Sequence, residues 1–342
     1  MTKRTIRLSK SKSQRKQLHA RGTLMKSLYF TCFALFILAG CKPSPTNGPN
    51  PPADTTTGNF GSLVEARKGF QSKLTRRPEA KSPVDEPPPG VFRKIQYDSP
   101  VGKLAAYLTP SPNDGKKHPA IIWITGGDCN SIGDVWSAQD PKDDQTASAF
   151  RKAGIVMMFP SLRGGNNNPG VKEGFLGEVD DVLAATKYLA KQEYVDPTRI
   201  YLGGHSTGGT LVLLVAECSD QYRAVFSFGP VEDVAGYGPK FNPYDMSNPK
   251  EVRLRSPGYW LESIQSPVFV IEGSRDGNLD SLQKMARNSK NPKAKFMPVR
   301  GADHFSTLAP INNVLARKIL LDNGPVTNVT LTEGEVNGLF AR

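Results

Sequence analysis

The chemistry in this sequence gathers around one serine. Ser206 stands in Gly203-Gly204-His205-Ser206-Thr207-Gly208-Gly209, after the short apolar run Ile200 to Leu202 and before the unbroken apolar run Leu211 to Ala216. The first run reads as a buried strand and the second as a helix buried on all sides. A serine held at a sharp strand-to-helix turn tolerates only small neighbours, so glycines stand two residues to either side of it. There its hydroxyl meets the N-terminus of a helix and the following backbone N–H. That arrangement suits nucleophilic attack on a carbonyl, the first half of acyl transfer.

A hydroxyl of ordinary acidity needs a base, and the base needs an orienting acid. Four histidines are present: His19, His118, His205 and His304. In an α/β-hydrolase the order is Ser, then Asp or Glu, then His, and only His304 follows Ser206 outside the elbow. Taken alone, His304 in Gly301-Ala302-Asp303-His304-Phe305 reads as a surface-loop residue; its order makes it the expected base. The acid should end the preceding strand, and Asp276 in Gly273-Ser274-Arg275-Asp276-Gly277 is the first choice. Asp280 is the alternative, and Asp303 is weaker because adjacent side chains point apart. Each aspartate also has an ordinary use as a turn or cap residue. The oxyanion hole should combine the Thr207 N–H with a donor near Gly127, in the Thr125-Gly126-Gly127-Asp128 loop. Those glycines also suit a plain turn. Glu178, Asp180 and Asp181 read as helix N-terminal charges rather than catalytic groups. No metal or organic cofactor is needed for this chemistry.

The elements that must position these groups alternate in type. Phe92 to Tyr97 and Lys103 to Leu108 predict an antiparallel hairpin. Strands are expected at Ala120 to Thr125, Ile155 to Phe159, Ala224 to Phe228, Val268 to Glu272 and Lys295 to Val299. Helices are expected at Thr146 to Ala153, Glu178 to Ala190, Leu279 to Asn288 and Leu308 to Leu321. The expected class is α/β, an α/β-hydrolase fold: a mostly parallel central sheet, helices on both faces and an N-terminal antiparallel hairpin. Residues 91–322 form the catalytic domain, with 231–261 a small cap-like excursion whose Tyr237, Phe241, Tyr244 and Trp260 would wall a substrate pocket. Residues 60–90 supply a weakly periodic helix and a Pro-rich lead-in, and 323–342 carry no strong pattern.

The net charge of +12 suggests nucleic acid, but its distribution argues otherwise. Residues 1–40 hold nine Lys or Arg and no acid, leaving only +3 spread over the rest with both signs mixed. Ser27 to Gly40 is uncharged and apolar, too short to span a bilayer comfortably but suited to a signal core. It runs into Leu38-Ala39-Gly40-Cys41, which resembles a bacterial lipobox and implies cleavage before Cys41 and lipidation of its thiol. Lys42 after the cysteine implies sorting to the outer membrane, so the expected location is the bacterial cell envelope, with membrane attachment through Cys41. Met25 offers a second start beside Met1, with which 1–24 would be an over-long reading; residues 41–59 are expected to form a Pro/Thr-rich tether. Cys129 and Cys218 remain, either as a disulfide or as two free thiols.

Several motifs together resemble the catalytic domain of the prolyl oligopeptidase family of serine peptidases. They are Arg163-Gly164 after Phe159-Pro160, Gly177-Glu178-Val179-Asp180-Asp181-Val182, Tyr194 to Ile200 leading into the elbow, Ser256-Pro257, and the acid and histidine turns. The resemblance spans about Ala120 to Leu321 and implies a serine hydrolase; short peptides are the substrate expected first. Two departures stand out. There is no room for the propeller of the larger members, and Thr125 stands where tyrosine or histidine often precedes the paired glycines. The rivals are a carboxylesterase or thioesterase on small esters, and a non-catalytic lipid-anchored binding protein.

Overall fold

The structure is a computed structural model that describes residues 61–78 and 82–341. These belong to one compact unit. The expected signal, lipidated Cys41 and tether lie outside the described residues. Nine helices are described: α1 (Leu63–Arg67), α2 (Ser148–Lys152), α3 (Gly177–Ala190), α4 (Thr207–Cys218), α5 (Gly238–Phe241), α6 (Pro249–Arg253), α7 (Leu279–Asn288), α8 (Leu308–Leu321) and α9 (Glu333–Gly338). The strands are β1 (Arg93–Ser99), β2 (Gly102–Leu108), β3 (His118–Ile124), β4 (Val156–Pro160), β5 (Val195–His205), β6 (Val225–Phe228), β7 (Val268–Arg275) and β8 (Ala294–Asp303).

They form one sheet in the order β1-β2-β4-β3-β5-β6-β7-β8. The β1–β2 hairpin is antiparallel and meets β4 antiparallel, while every pair from β4 to β8 is parallel. This is the expected α/β-hydrolase fold. Period-two alternation feeds two separate cores. Ile122, Leu202, Val225 and Val270 face α3 and α4, whereas Trp123, Tyr201, Phe226 and Ile271 face α8. Leu211 to Ala216 on α4 are all fully buried, as the unbroken apolar run predicted. Complete burial of each such side chain stabilises the fold by roughly 1.5–3 kcal/mol.

Three strands run beyond their apolar cores. β5 reaches back to Val195 and forward to His205, β7 goes on to Arg275, and β8 to Asp303. Backbone pairing continues where one side of a strand meets solvent, so hydrophobicity marks only the middle of each. The β7 extension later decides which acid reaches His304.

The weak helical period over Phe60 to Leu74 resolves into one short helix and an extended strap. After α1, Leu74 bridges Tyr244, and the Thr75 and Arg76 N–H groups donate to the Pro243 carbonyl. The Lys73 N–H donates to Glu251, which is itself paired with Arg255 at 2.6 Å, both fully buried. The strap thus ties the N-terminal lead-in to the 231–261 excursion. The unpatterned C-terminal tail is also part of the fold. Val329, Leu331 and Val336 are buried, and the Arg300 N–H on edge strand β8 donates to the Asn337 side chain. Cys129 and Cys218 are both free thiols.

One buried group opposes the fold. Glu217 near the end of α4 is 2 % exposed, and neither carboxyl oxygen has a hydrogen-bond partner. Burial therefore pushes its pKa well above the usual carboxylate range. As pH rises past the unfolded-state value, the unfolded chain releases this proton and the folded one keeps it, so stability falls. Glu217→Gln is expected to match the wild type in thermal midpoint near pH 4 and to exceed it increasingly towards pH 8. Parallel melting curves across that range would refute the buried neutral acid.

Candidate active site

β5 ends in His205 and α4 begins at Thr207, leaving Ser206 alone at the turn with φ 57° and ψ −118°. Such a backbone costs on the order of 1–3 kcal/mol for a residue with a side chain, and the surroundings must hold it. They do so through two bonds. The Ser206 N–H donates to the Phe228 carbonyl at 2.7 Å, and its carbonyl accepts from the Thr210 N–H at 2.9 Å. A Cβ on Gly208 would lie 2.2 Å from the Ile124 carbonyl oxygen, so only glycine lets α4 start this close to β3. The serine is half-buried, at the carboxyl edge of the sheet.

Thr207 is the first residue of α4, so its N–H has no intrahelical partner. Its hydroxyl donates to the Gly127 carbonyl at 3.0 Å, fastening the elbow to the loop after β3. Gly126 passes so close that a Cβ there would sit 3.1 Å from the Ser206 Cβ. The structure therefore brings together both segments expected to supply an oxyanion hole.

His304 follows β8, and the carboxylate on its Nδ1 belongs to Glu272, with Oε2 at 2.8 Å. This corrects the expectation for Asp276. Because β7 continues past Glu272, Asp276 meets His304 through its backbone: the His304 N–H donates to the Asp276 carbonyl at 3.0 Å. The Asp276 side chain is left in solvent, at φ 50°. Glu272, one methylene longer than an aspartate, reaches the ring from within the strand. It is 1 % exposed, and it also accepts from the Gly273 N–H at 2.6 Å and the Asn278 N–H at 2.9 Å. Asp280 is exposed in the first turn of α7, and Asp303 accepts from the Phe305 and Ser306 N–H groups as a turn cap.

Gly229 backs the other side of the ring. It has φ 60°, and a Cβ there would lie 2.4 Å from the His304 Cε1. Its neighbour Phe228, the last residue of β6, accepts from the Ser206 N–H, so two consecutive residues contact Ser206 and His304. Among the described residues, neither Ser206 Oγ nor His304 Nε2 forms a hydrogen bond to another protein group. Nucleophile and base often close to hydrogen-bond distance only once substrate is bound.

Of the four aromatics expected to wall a pocket, Tyr237 lies beside the elbow with Phe241 packed on its ring. Tyr237 bonds the Thr210 hydroxyl at 2.8 Å, one helical turn from Ser206. Its ring packs on Phe241 at 5.0 Å and on Phe175 at 5.7 Å. Tyr244 and Trp260 are core residues instead, Tyr244 under the Arg255 guanidinium and Trp260 donating to the Arg253 carbonyl. Two clefts of about 380 and 560 Å³ open beside α3, but neither is lined by Ser206, Glu272 or His304. Glu178, buried under Asn130 and the Glu173 N–H, and Asp181, paired with Arg163 at 2.9 Å, are structural. Asp180 pairs with Arg67 at 3.0 Å.

Sequence reasoning missed Glu272 and Phe175. A signal for the first was available: an acid closing the otherwise apolar run Val268 to Ile271 must have a partner if that strand is buried. Phe175 carried none, since its place depends on a loop with φ 77°.

A profile of the prolyl oligopeptidase family matches residues 141–308. An uncharacterized peptidase, YtmA, of Bacillus subtilis is 30 % identical over 217 residues, covering 58 % of this chain and 76 % of that protein. A probable dipeptidyl-aminopeptidase B of Aspergillus clavatus is 23 % identical over 283 residues, covering 75 % of this chain and 30 % of that one. The acylaminoacyl peptidase of Pyrococcus horikoshii superposes with a TM-score of 0.56 at 15 % identity, over 72 % of this chain and 43 % of its own. This chain thus spans three quarters of the bacterial relative and less than half of the other two. Sequence match, sheet order and elbow agree: the chain belongs to the prolyl oligopeptidase family and is a serine hydrolase.

Proposed function

We propose that the chain hydrolyses short peptides through an acyl-enzyme on Ser206, with His304 as base and Glu272 as the acid that orients it. The observation that carries this is the 2.8 Å bond from Glu272 to His304 Nδ1, in a turn packed beside the elbow. Glu272 fixes the proton on Nδ1 and leaves Nε2 to take the Ser206 proton as Oγ attacks the substrate carbonyl. The Thr207 N–H and an N–H near Gly127 face the developing oxyanion, aided by the N-terminus of α4. Collapse breaks the scissile bond, and the leaving amine takes its proton from His304. Water then gives a proton to His304, attacks the ester and frees Ser206. Tyr237 and Phe241, backed by the buried Phe175, offer an apolar wall for the acyl side chain.

A fluorophosphonate probe should label the wild type and leave Ser206→Ala unlabelled. A folded wild type that stays unlabelled refutes the mechanism. Side-by-side turnover of aminoacyl amides and nitrophenyl esters separates the peptidase from the esterase reading, which prevails if amides are inert.

We also propose export and lipid attachment at Cys41 in the bacterial cell envelope, a reading that the basic, then apolar leader and Leu38-Ala39-Gly40-Cys41 support. Palmitate incorporation in a bacterial host should disappear in Cys41→Ala, and equal incorporation would overturn the anchor.

A further inference from the structure

We infer that His205 is a positioning residue for the base, tying the nucleophile's own strand end to the turn that carries His304. The inference rests on the triad proposed above. His205 is fully buried, and its Nε2 lies 3.0 Å from the backbone carbonyl oxygen of His304. Its ring lies 4.5 Å from the His304 ring and 5.2 Å from that of Phe305.

The strand order gives this bond its importance. Ser206 follows β5 and His304 follows β8, with β6 and β7 between them. Two of the bonds that hold His304 come from the end of β7: Glu272 on Nδ1 and the Asp276 carbonyl on the main-chain N–H. They locate the imidazole relative to β7 alone. His205 reaches across both intervening strands, and it is covalently joined to Ser206. Its bond therefore sets the distance between nucleophile and base directly, and a misplacement of about 1 Å at such a pair costs about a hundredfold in rate.

The ring is built to donate at that one nitrogen. Burial, and then the charge of His304 nearby, hold its pKa well below the usual histidine value, so it carries a single proton. A carbonyl on Nε2 requires the proton there, which leaves Nδ1 an acceptor. Nδ1 lies 3.3 Å from Gln145 Oε1, a longer contact than the 3.0 Å from Nε2 to the carbonyl, so the ring's one proton serves the carbonyl. A core histidine that only satisfied its own polarity would not need its donor on the base's peptide.

The test uses the full chain with His205→Phe, which keeps a ring without a donor, and His205→Gln, whose amide nitrogen reaches the same carbonyl. His205→Met serves as a second donorless variant should the Phe variant melt early. The readouts are the rate of phosphonylation of Ser206 and kcat and KM on p-nitrophenyl acetate. The donorless variants are expected to lose about 10- to 100-fold in kcat and labelling rate with KM within about twofold, and Gln to stay within about threefold of wild type. Wild-type kcat in the donorless variants, or a Gln variant as slow as they are, overturns the positioning role. An unlabelled wild type overturns the triad and this role together, and it is seen before any variant is compared.

Discussion

Glu272→Gln should lower kcat by about 10⁴-fold, whereas Asp276→Asn should stay within about threefold of wild type. The size follows from the bonds. One Glu272 oxygen accepts from the Gly273 N–H, and the other from both the Asn278 N–H and His304. A glutamine has one acceptor oxygen and one NH₂ to fill those two places. If its oxygen faces His304, the NH₂ confronts the Gly273 N–H and the negative charge that stabilises the imidazolium is gone. If the NH₂ faces His304, the ring must move its proton to Nε2, where it blocks transfer from Ser206. Either orientation is costly. Asp276 touches His304 only through its carbonyl, which asparagine keeps. The reverse pattern, a dead Asp276→Asn and an active Glu272→Gln, would return the acid to the position expected from sequence.

The second large effect is on Ser206 itself. Ser206→Ala is expected to lower kcat by about 10⁶-fold with KM little changed, since the hydroxyl acts in the covalent step rather than in binding. Residual catalysis of about 10³–10⁴ over water should persist, because the Thr207 N–H and the helix terminus remain in place. The fold should be nearly unaffected, as alanine keeps the Phe228 and Thr210 backbone bonds that hold the turn. Stopped-flow or long-time turnover assays, read beside thermal midpoints, check both parts. An alanine variant with even a hundredth of wild-type kcat would place the nucleophile elsewhere.

The family's motifs lie in local stretches, which is why so much of the site was legible. The elbow needs small residues at fixed offsets and a buried helix behind it, and all of these are neighbours in the chain. Chain order then singled out His304 among four histidines. The helices α7 and α8 fall where periodicity placed them, at Leu279–Asn288 and Leu308–Leu321, because each buries one stripe against the sheet. The tail after Asn323 and the strap after α1 were not legible. Their anchors are single contacts, such as Asn337 on Arg300 and Leu74 on Tyr244, and these leave no period in the sequence.

The sequence by itself determined the fold class and the class of chemistry, and it singled out Ser206 and His304 as the candidate nucleophile and base, because those depend on residue type, tight local geometry and order. Only the tertiary structure showed that Glu272 bonds His304 and that His205 bonds the His304 carbonyl. Which carboxylate faces His304 depends on how far β7 and β8 stay paired beyond their apolar cores, and backbone pairing is blind to side-chain type. Two further strand pairs, Gly273 with Val299 and Arg275 with Asp303, carry β7 past Glu272, and Asp276 ends in solvent while Glu272 sits on the ring. The His205 bond joins groups 99 residues apart, and it exists only because four parallel strands end at one edge.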